Sequence, residues 1–337
     1  MYTQESFCNA IWGTTFLKVD GSYSKDDYKD FSIPKKDGIR YLSYLPKTSV
    51  LYTLQNKLLH NYLSKVSLPP CAVGFRKNES YKSYLTPHIG NTRFLRIDIK
   101  DFFPSITEDL VASELAYFIS LSTQEETNKI ITLVTDIVIR DGVLPQGACT
   151  SPAISNIVMA RIDQRILKYC QIFDITYTRY ADDLLFSSTK FDFSQKKWFF
   201  KKIKHILKSN NFRVNFAKNK YAQDEISLNG YVISSTDVRL SRKRLSDIRH
   251  VVSQMRQNYP ILVSQGPEAF LDTINSLSLY HRDLRQYPFP SIFLLVQYLC
   301  GYRAFLISWI DPYSQTAFQK EQKHLIAHIE AVIKKFS

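Results

Sequence analysis

"TRYADDLLFSS", residues 178–188, sets two adjacent carboxylates, Asp182 and Asp183, between two hydrophobic segments. Neighbouring carboxylates repel, and burying even one unpaired charge costs roughly several kcal/mol. Such a pair either sits in a solvated turn, where Asp is common, or is compensated by a divalent cation. The rest of the chain bears on which.

The closest help comes from "RIDIKDFFPSI", residues 96–106. Leu95, Ile97 and Ile99 alternate as one face of a strand expected over 93–103 and ended by Pro104. Asp98 falls in the middle of it, where a lone carboxylate is poorly placed unless something binds it. If this strand lies beside the 182–183 hairpin, three carboxylates meet at one point. Hard cations take such oxygens, and paired ions serve phosphoryl transfer.

Composition points the same way. The 337 residues carry 44 Lys+Arg against 31 Asp+Glu, a net charge of +13, with 21 Tyr and 22 Phe. A basic, aromatic-rich chain suits a polyanion whose phosphates take cations and whose bases stack on rings. Five scattered cysteines without a CxxC pair argue against a disulfide scaffold or a thiolate zinc site and fit a reducing, cytoplasmic setting. No signal peptide is expected from the N-terminal stretch. The most apolar run, 294–310, contains Gln297 and Arg303 and reads as a core helix, so no membrane partner is expected.

The remaining pattern is strand–turn–strand over 31–46, with Lys36-Asp37-Gly38 as the turn, then a helix over 49–66. A helix over 107–119 is capped by Thr107. Another, within 147–170, is opened by Ser151-Pro152. A basic amphipathic helix covers 194–212, where Trp198, Phe199, Ile203 and Ile206 pack inward and the lysines face solvent. A strand pair at 227–235 follows. The last hundred residues are mainly helical, with a break at 287–291. The class is α+β with a short antiparallel sheet and a helical C-terminal domain beginning near Ser235.

These residues resemble the reverse transcriptases, and among them the retron-type bacterial enzymes. "YADD" is similar to the family's catalytic hairpin, and "RIDIKDFFPSI" to its first palm motif. "LPQGACTSPAISN" (144–156) is similar to its template- and nucleotide-positioning motif, and "IPKKDGIRYLSYLP" (33–46) to its fingers hairpin. "FRVNFAKNK" (212–220) resembles the motif after the palm helix, and "SLNGYVIS" (227–234) the primer-grip hairpin. The resemblance runs in order from about 31 to 235. It implies a right-hand polymerase: N-terminal extension and fingers over 1–97, palm over 98–235 with an inserted fingers segment at about 107–143, and a helical thumb over 236–337.

Carried over residue by residue, the resemblance makes Asp98 and Asp182 ligands of two Mg²⁺ ions, with Asp183 completing the acidic cluster. Lys36 and Arg40 would grip the incoming triphosphate. Gln146 and Gly147 would contact the nucleotide and permit close backbone approach. Phe103 would close the pocket against a ribose 2′-OH, so deoxynucleotides are expected, and Lys218 would donate a proton to pyrophosphate. His88, Asn229 and Gly230 occupy positions linked to recognition of a structured RNA. The family's usual Asn-Ala-x-x-His reads "YLTPH" (84–88) here, keeping His88, and its Val-Thr-Gly reads Leu228-Asn229-Gly230.

In "SRKRLSDIRHVVSQMRQ" (241–257), Leu245, Ile248, Val252 and Met255 share one helical face. Arg242, Arg249 and Arg256 recur on another, as a phosphate-tracking stripe for an RNA–DNA hybrid or the RNA scaffold. The 102 residues after 235 suit a thumb, and neither a maturase nor an RNase H domain is expected. The reading is an RNA-directed DNA polymerase that uses dNTPs to copy a dedicated non-coding RNA. As the resemblance has it, a 2′-OH primes the DNA and leaves a branched RNA–DNA product, in an antiphage system with an effector protein encoded nearby. The alternatives are a non-retron defence reverse transcriptase primed by protein or a 3′ end, and a viral-type RNA polymerase, against which Phe103 and YADD speak.

Overall fold

A computed structural model describes residues 2–35, 38–277, 288–310 and 316–336. The first hairpin pairs β1 (Lys29–Lys35) with β2 (Gly38–Tyr44), from Lys29 opposite Tyr44 to Lys35 opposite Gly38. Lys36 and Asp37 of the expected turn lie outside the described residues. Ile39 and Tyr41 alternate onto one face of β2, and that face is exposed. Ser49 then caps the helix Val50–Asn61 by accepting from the Tyr52 N–H, and Leu51, Leu54 and Leu58 bury one stripe. An N-terminal helix, Gln4–Trp12, joins the same core, its Trp12 indole donating to the Leu54 carbonyl at 3.1 Å.

The central sheet has five strands, all antiparallel neighbours. At its middle lies β3 (Arg93–Lys100), with β5 (Asp183–Ser188) on one side and β4 (Thr176–Tyr180) beyond β5. On the other side β3 meets β6 (Arg213–Val214) near its end and β7 (Lys220–Gln223) along its first half. Leu95, Ile97 and Ile99 are buried on one face, and Phe94 and Asp98 on the other. A strand covered on both sides reads as a nearly unbroken apolar run. It stops at Lys100, short of the expected 103, because Asp101 turns to φ 47° and Phe103–Ser105 closes a 3₁₀ turn around Pro104.

Thr107 caps the helix Glu108–Leu115 by accepting from the Leu110 N–H. A longer helix, Gln124–Val138, follows, with Ile130, Val134, Ile137 and Val138 buried. The helix Ser151–Ile172 opens on Pro152 and runs through the core. The basic helix is shorter than expected, Lys197–Lys208, and buries Phe199, Ile203 and Ile206. Trp198 departs from the expected inward packing: it is 44% exposed, although its edge meets Phe173.

The chain divides into two compact units, Met1–Ile226 with Ser234–Thr236, and Ser227–Ile233 with Asp237–Ser337. The division runs through the three-stranded sheet of β8 (Glu225–Leu228), β9 (Tyr231–Ser234) and β10 (Val238–Leu240). The second unit is otherwise helical, with Arg242–Gln265, Pro267–Ser276, Ile292–Ser308 and Ala317–Phe336 described. Tyr287 of the expected break lies outside the described residues, and 288–291 are irregular. Among the described residues no helix is long and apolar enough to cross a membrane.

Candidate active site

The register of β3 and β5 makes Asp98 the direct cross-strand partner of Asp183. Side chains alternate along a strand, so Arg96 and Asp98 share the face of Asp183, Leu185 and Ser187. The β4–β5 connection has only Ala181 and Asp182 between the paired residues Tyr180 and Asp183. The expected juxtaposition of "RIDIKD" with "YADD" is therefore built by strand pairing.

The three carboxylates nonetheless differ. Asp183 is buried and turned to Arg96, whose Nε and Nη2 donate to its Oδ1 at 2.8 and 2.5 Å. Among the described residues no group of three or more His, Cys, Asp or Glu side chains is arranged as a ready-made metal cage. Asp98 is also buried, with Lys218 Nζ 3.2 Å from Oδ2. Its Oδ1 is buried with no hydrogen-bond partner. Burial, and then the Asp98 charge, pushes the Asp182 carboxyl up from its ordinary range. Burial also pushes Asp183 up to about 6, against the pull of Arg96. Asp98 and Asp182 thus oppose one another with a buried acceptor left over. Such hard oxygens fit a divalent cation.

The turn that carries Asp182 is strained and held. Ala181 has φ 55°, a left-handed value costly for any residue with a Cβ. Arg179 Nη1 donates to the Ala181 carbonyl at 3.0 Å, and the Ile99 N–H donates to the Asp182 carbonyl at 2.9 Å. Arg179 is fully buried against Asp163, and its Nη2 also reaches Asn156 Oδ1 at 3.0 Å. The Asn156 amide in turn donates to the Gly74 carbonyl at 2.8 Å. Gly74 lies against this hairpin so closely that a Cβ there would sit 2.7 Å from the Ala181 nitrogen.

Other expected residues fall as follows. Phe103 is half-buried, its ring 5.4 Å from Phe102 and 6.4 Å from Phe75, which also meets Tyr180 at 6.1 Å. The Gln146 carbonyl accepts from the Ser43 N–H at 2.8 Å, tying β2 to the Gln146-Gly147 loop. Gly147 has φ 125°, and a Cβ there would meet the Ser43 carbonyl oxygen at 2.6 Å. Arg40 is exposed on β2 opposite Ile33. Lys36 lies outside the described residues. Lys218 is 55% exposed along its side chain and is brought to Asp98 by the Asn215 N–H, which donates to the Asp98 carbonyl at 2.8 Å.

His88 corrects its expectation. It is fully buried, with Nδ1 2.6 Å from Ser187 Oγ and Nε2 2.8 Å from Thr178 Oγ1. Burial drives its pKa down to about 3. It is a neutral strand clamp behind β4 and β5, not a surface for nucleic acid. In the second unit, Asn229 and Gly230 form the β8–β9 turn with φ 47° and 86°. Arg242, Arg249 and Arg256 are all exposed on the helix that buries Leu245, Ile248, Val252 and Met255, and Arg249 pairs with Glu321.

Sequence reasoning missed Arg96, Arg179, Asp163 and Gly74. Arg96 left a signal, a second charge on the face of an apolar strand. For Asp163 the only signal was a carboxylate inside an apolar helix.

A family model described as "Reverse transcriptase (RNA-dependent DNA polymerase)" matches residues 33–233. The retron Ec86 reverse transcriptase of Escherichia coli is 33% identical over 226 residues, covering 66% of this chain and 68% of that protein. The retron Mx65 reverse transcriptase of Myxococcus xanthus is 36% identical over 172 residues, covering 48% of this chain but 40% of that protein. Among solved structures, apo telomerase from Candida tropicalis is similar at 14% identity with a TM-score of 0.48, over 94% of this chain and 66% of that one.

Proposed function

This chain belongs to the reverse transcriptase family, in its retron-type branch, and is by that membership an RNA-directed DNA polymerase; we propose that it copies a dedicated structured RNA into DNA by metal-assisted nucleotidyl transfer. The observation that carries the metal-assisted mechanism is the pairing of Asp98 with Asp183 beside Asp182, with Asp98 Oδ1 buried and unpartnered. Asp98 and Asp182 would hold the divalent ions, and Asp183 would brace the cluster through Arg96. Bound Mg²⁺ would supply Lewis acidity toward the attacking hydroxyl and charge neutralisation at the leaving pyrophosphate.

The chain's own residues supply the rest. Lys218, whose ammonium reaches Asp98 Oδ2, would hold a proton near the leaving phosphate. Arg40, with Lys36, would hold the triphosphate, and the exposed Gly147 loop lets a nucleotide approach the backbone. Phe103 would exclude a ribose 2′-OH. In the second unit, Asn229, Gly230 and the arginines 242, 249 and 256 would track the hybrid or the RNA scaffold. Priming from a 2′-OH of that RNA, a cytoplasmic setting, and a role in antiphage defence beside a separately encoded effector complete the reading, supported by kinship with retron enzymes.

The test is the nucleic acid that co-purifies with the protein expressed from its native locus, run beside Asp182→Asn/Asp183→Asn. DNA seen only with the intact protein, and shifted in size by debranching or RNase, is the expected result. Carboxylate-dependent DNA without an RNA branch would replace 2′-OH priming by protein or 3′-end priming. No DNA, together with no extension of a supplied RNA–DNA primer, would overturn the reading.

A further inference from the structure

The helix Lys197–Lys208 buries Phe199, Ile203 and Ile206 and leaves Lys197, Lys201, Lys204 and Lys208 exposed. At about 1.5 Å per residue these four span about 16 Å along one side of the helix. They are not merely solvated. They line two grooves that meet at Lys204. One, of about 480 Å³, is bounded by Phe200 and Tyr221 and has no acidic lining residue. The other, of about 920 Å³, is lined by Lys100 and Arg213 as well as Lys204 and Lys208, with Asp101 as its one carboxylate.

Each groove also holds a partly exposed ring. Phe216 is 60% exposed, with Phe200 edge-on at 6.0 Å and Lys204 Nζ 4.8 Å from its centroid. Tyr221 is 42% exposed. A cationic track beside exposed aromatic rings matches unpaired nucleotides, whose phosphates take the ammonium groups and whose bases stack. A duplex hides its base faces and would leave these rings unused.

We propose that this groove binds single-stranded polynucleotide, lysines 197, 201, 204 and 208 contacting phosphates while Phe216 and Tyr221 stack on bases. The inference rests on the polymerase reading for its ligand: template RNA that has not entered the site and DNA that has left it are the two sources with this chemistry.

The experiment uses the full chain, the groove variant Lys201→Glu/Lys204→Glu/Lys208→Glu, its milder Lys→Gln counterpart, and a charge-matched control, Lys18→Glu/Lys65→Glu/Lys168→Glu. Fluorescence anisotropy with labelled oligouridylate and oligothymidylate of about 20 nucleotides is read across a salt series. The groove variant should bind at least roughly tenfold more weakly, with a salt slope shallower by about 2 for three lost phosphate contacts. The Gln variant should fall between, and the control should stay near the parent. Loss for oligouridylate alone assigns the groove to RNA, and loss for both assigns it to either strand.

Equal loss in groove and control variants, or no loss in the groove variant, would overturn the proposal. So would a loss confined to equimolar phosphatidylglycerol–phosphatidylcholine vesicles, which would make the occupant a lipid surface. Extension of a short hybrid primer–template at saturating concentration should be unchanged in the groove variant. If the parent itself cannot extend, the polymerase reading fails, while the anisotropy comparison still decides the groove.

Discussion

Arg179 and Asp163 form an ion pair with no exposed side-chain surface, Nη2 lying 2.8 Å from Oδ2, and the same guanidinium donates to the Ala181 carbonyl. The pair therefore reaches the strained residue beside Asp182. Removing one partner strands a buried charge, so Asp163→Asn or Arg179→Met should each cost about 3–5 kcal/mol in urea unfolding. Replacing both, as Asp163→Leu/Arg179→Met, should recover part of that stability, because no buried charge is stranded while the Tyr177 hydroxyl and Asn156 Oδ1 lose their partners. Primer extension should stay at least about tenfold slow in the double variant, since the Ala181 carbonyl has lost its donor. Recovery of rate together with stability would reduce the pair to packing.

Gly74 tests the same turn from the opposite side. Its added Cβ would lie 2.7 Å from the Ala181 nitrogen and 3.1 Å from Tyr180 Cα, both backbone atoms that cannot swing away. Gly74→Ala should cost about 1–3 kcal/mol as an overpacking change. It should also lower primer extension more than a surface Gly13→Ala does, although Gly13 has φ 72° and open space around it. Equal extension rates in the two variants would remove the turn from the argument.

Much of this architecture was legible because strand pairing is local in its logic. Alternating Leu95, Ile97 and Ile99 around Asp98, and a two-residue turn at Ala181-Asp182, require only the two-residue period of a strand. The expected family span of about 31 to 235 agrees closely with the matched 33–233. What stayed hidden depends on contacts distant in sequence. His88 matched a family position, yet its partners Ser187 and Thr178 lie 99 and 90 residues away, and only folding shows that both ring nitrogens are used internally. The inward Trp198 failed for a different reason: an aromatic residue beside a buried stripe can pack by its edge and remain exposed. Arg96 capturing Asp183 could not be read from spacing, because the choice between a cation and an arginine is made by side-chain geometry.

Asp182 separates stability from activity. Its ionised form is opposed by burial and by Asp98. In metal-free buffer near pH 7, Asp182→Asn should therefore raise stability while abolishing extension. Adding Mg²⁺ should stabilise the parent and have a smaller effect on the variant. Thermal melts with EDTA and with Mg²⁺ check both statements, and a destabilised Asn variant in EDTA would contradict the opposition of the two carboxylates.

Phe103 is held between Phe102 and Phe75, so its ring has a defined place beside Tyr180's partner. Phe103→Ala should raise kcat/KM for ribonucleotides relative to deoxynucleotides by roughly tenfold or more, the size of a lost steric contact of about 1–3 kcal/mol. Single-nucleotide extension with each sugar measures the ratio. Unchanged discrimination would move the sugar filter elsewhere.

His88 gives a pH dependence with a definite sign. Its folded pKa is driven by burial from 6.5 down to about 3. Below pH 6.5 the unfolded chain binds a proton at this residue and the folded one does not. Its contribution is therefore complete above about pH 6.5 and lost as pH falls toward 3, by about 1.4 kcal/mol per pH unit across that window. His88→Gln should lower stability at pH 7, because the bonds to Ser187 and Thr178 are remade imperfectly. It should also flatten the slope of unfolding free energy against pH between 6.5 and 4.5, where the glutamine has no proton to bind. Urea titrations at three pH values in that range distinguish the cases. A variant that keeps the parent's slope would place the acid sensitivity on other groups, and a parent without the slope would mean that His88 accepts a proton in the folded sheet.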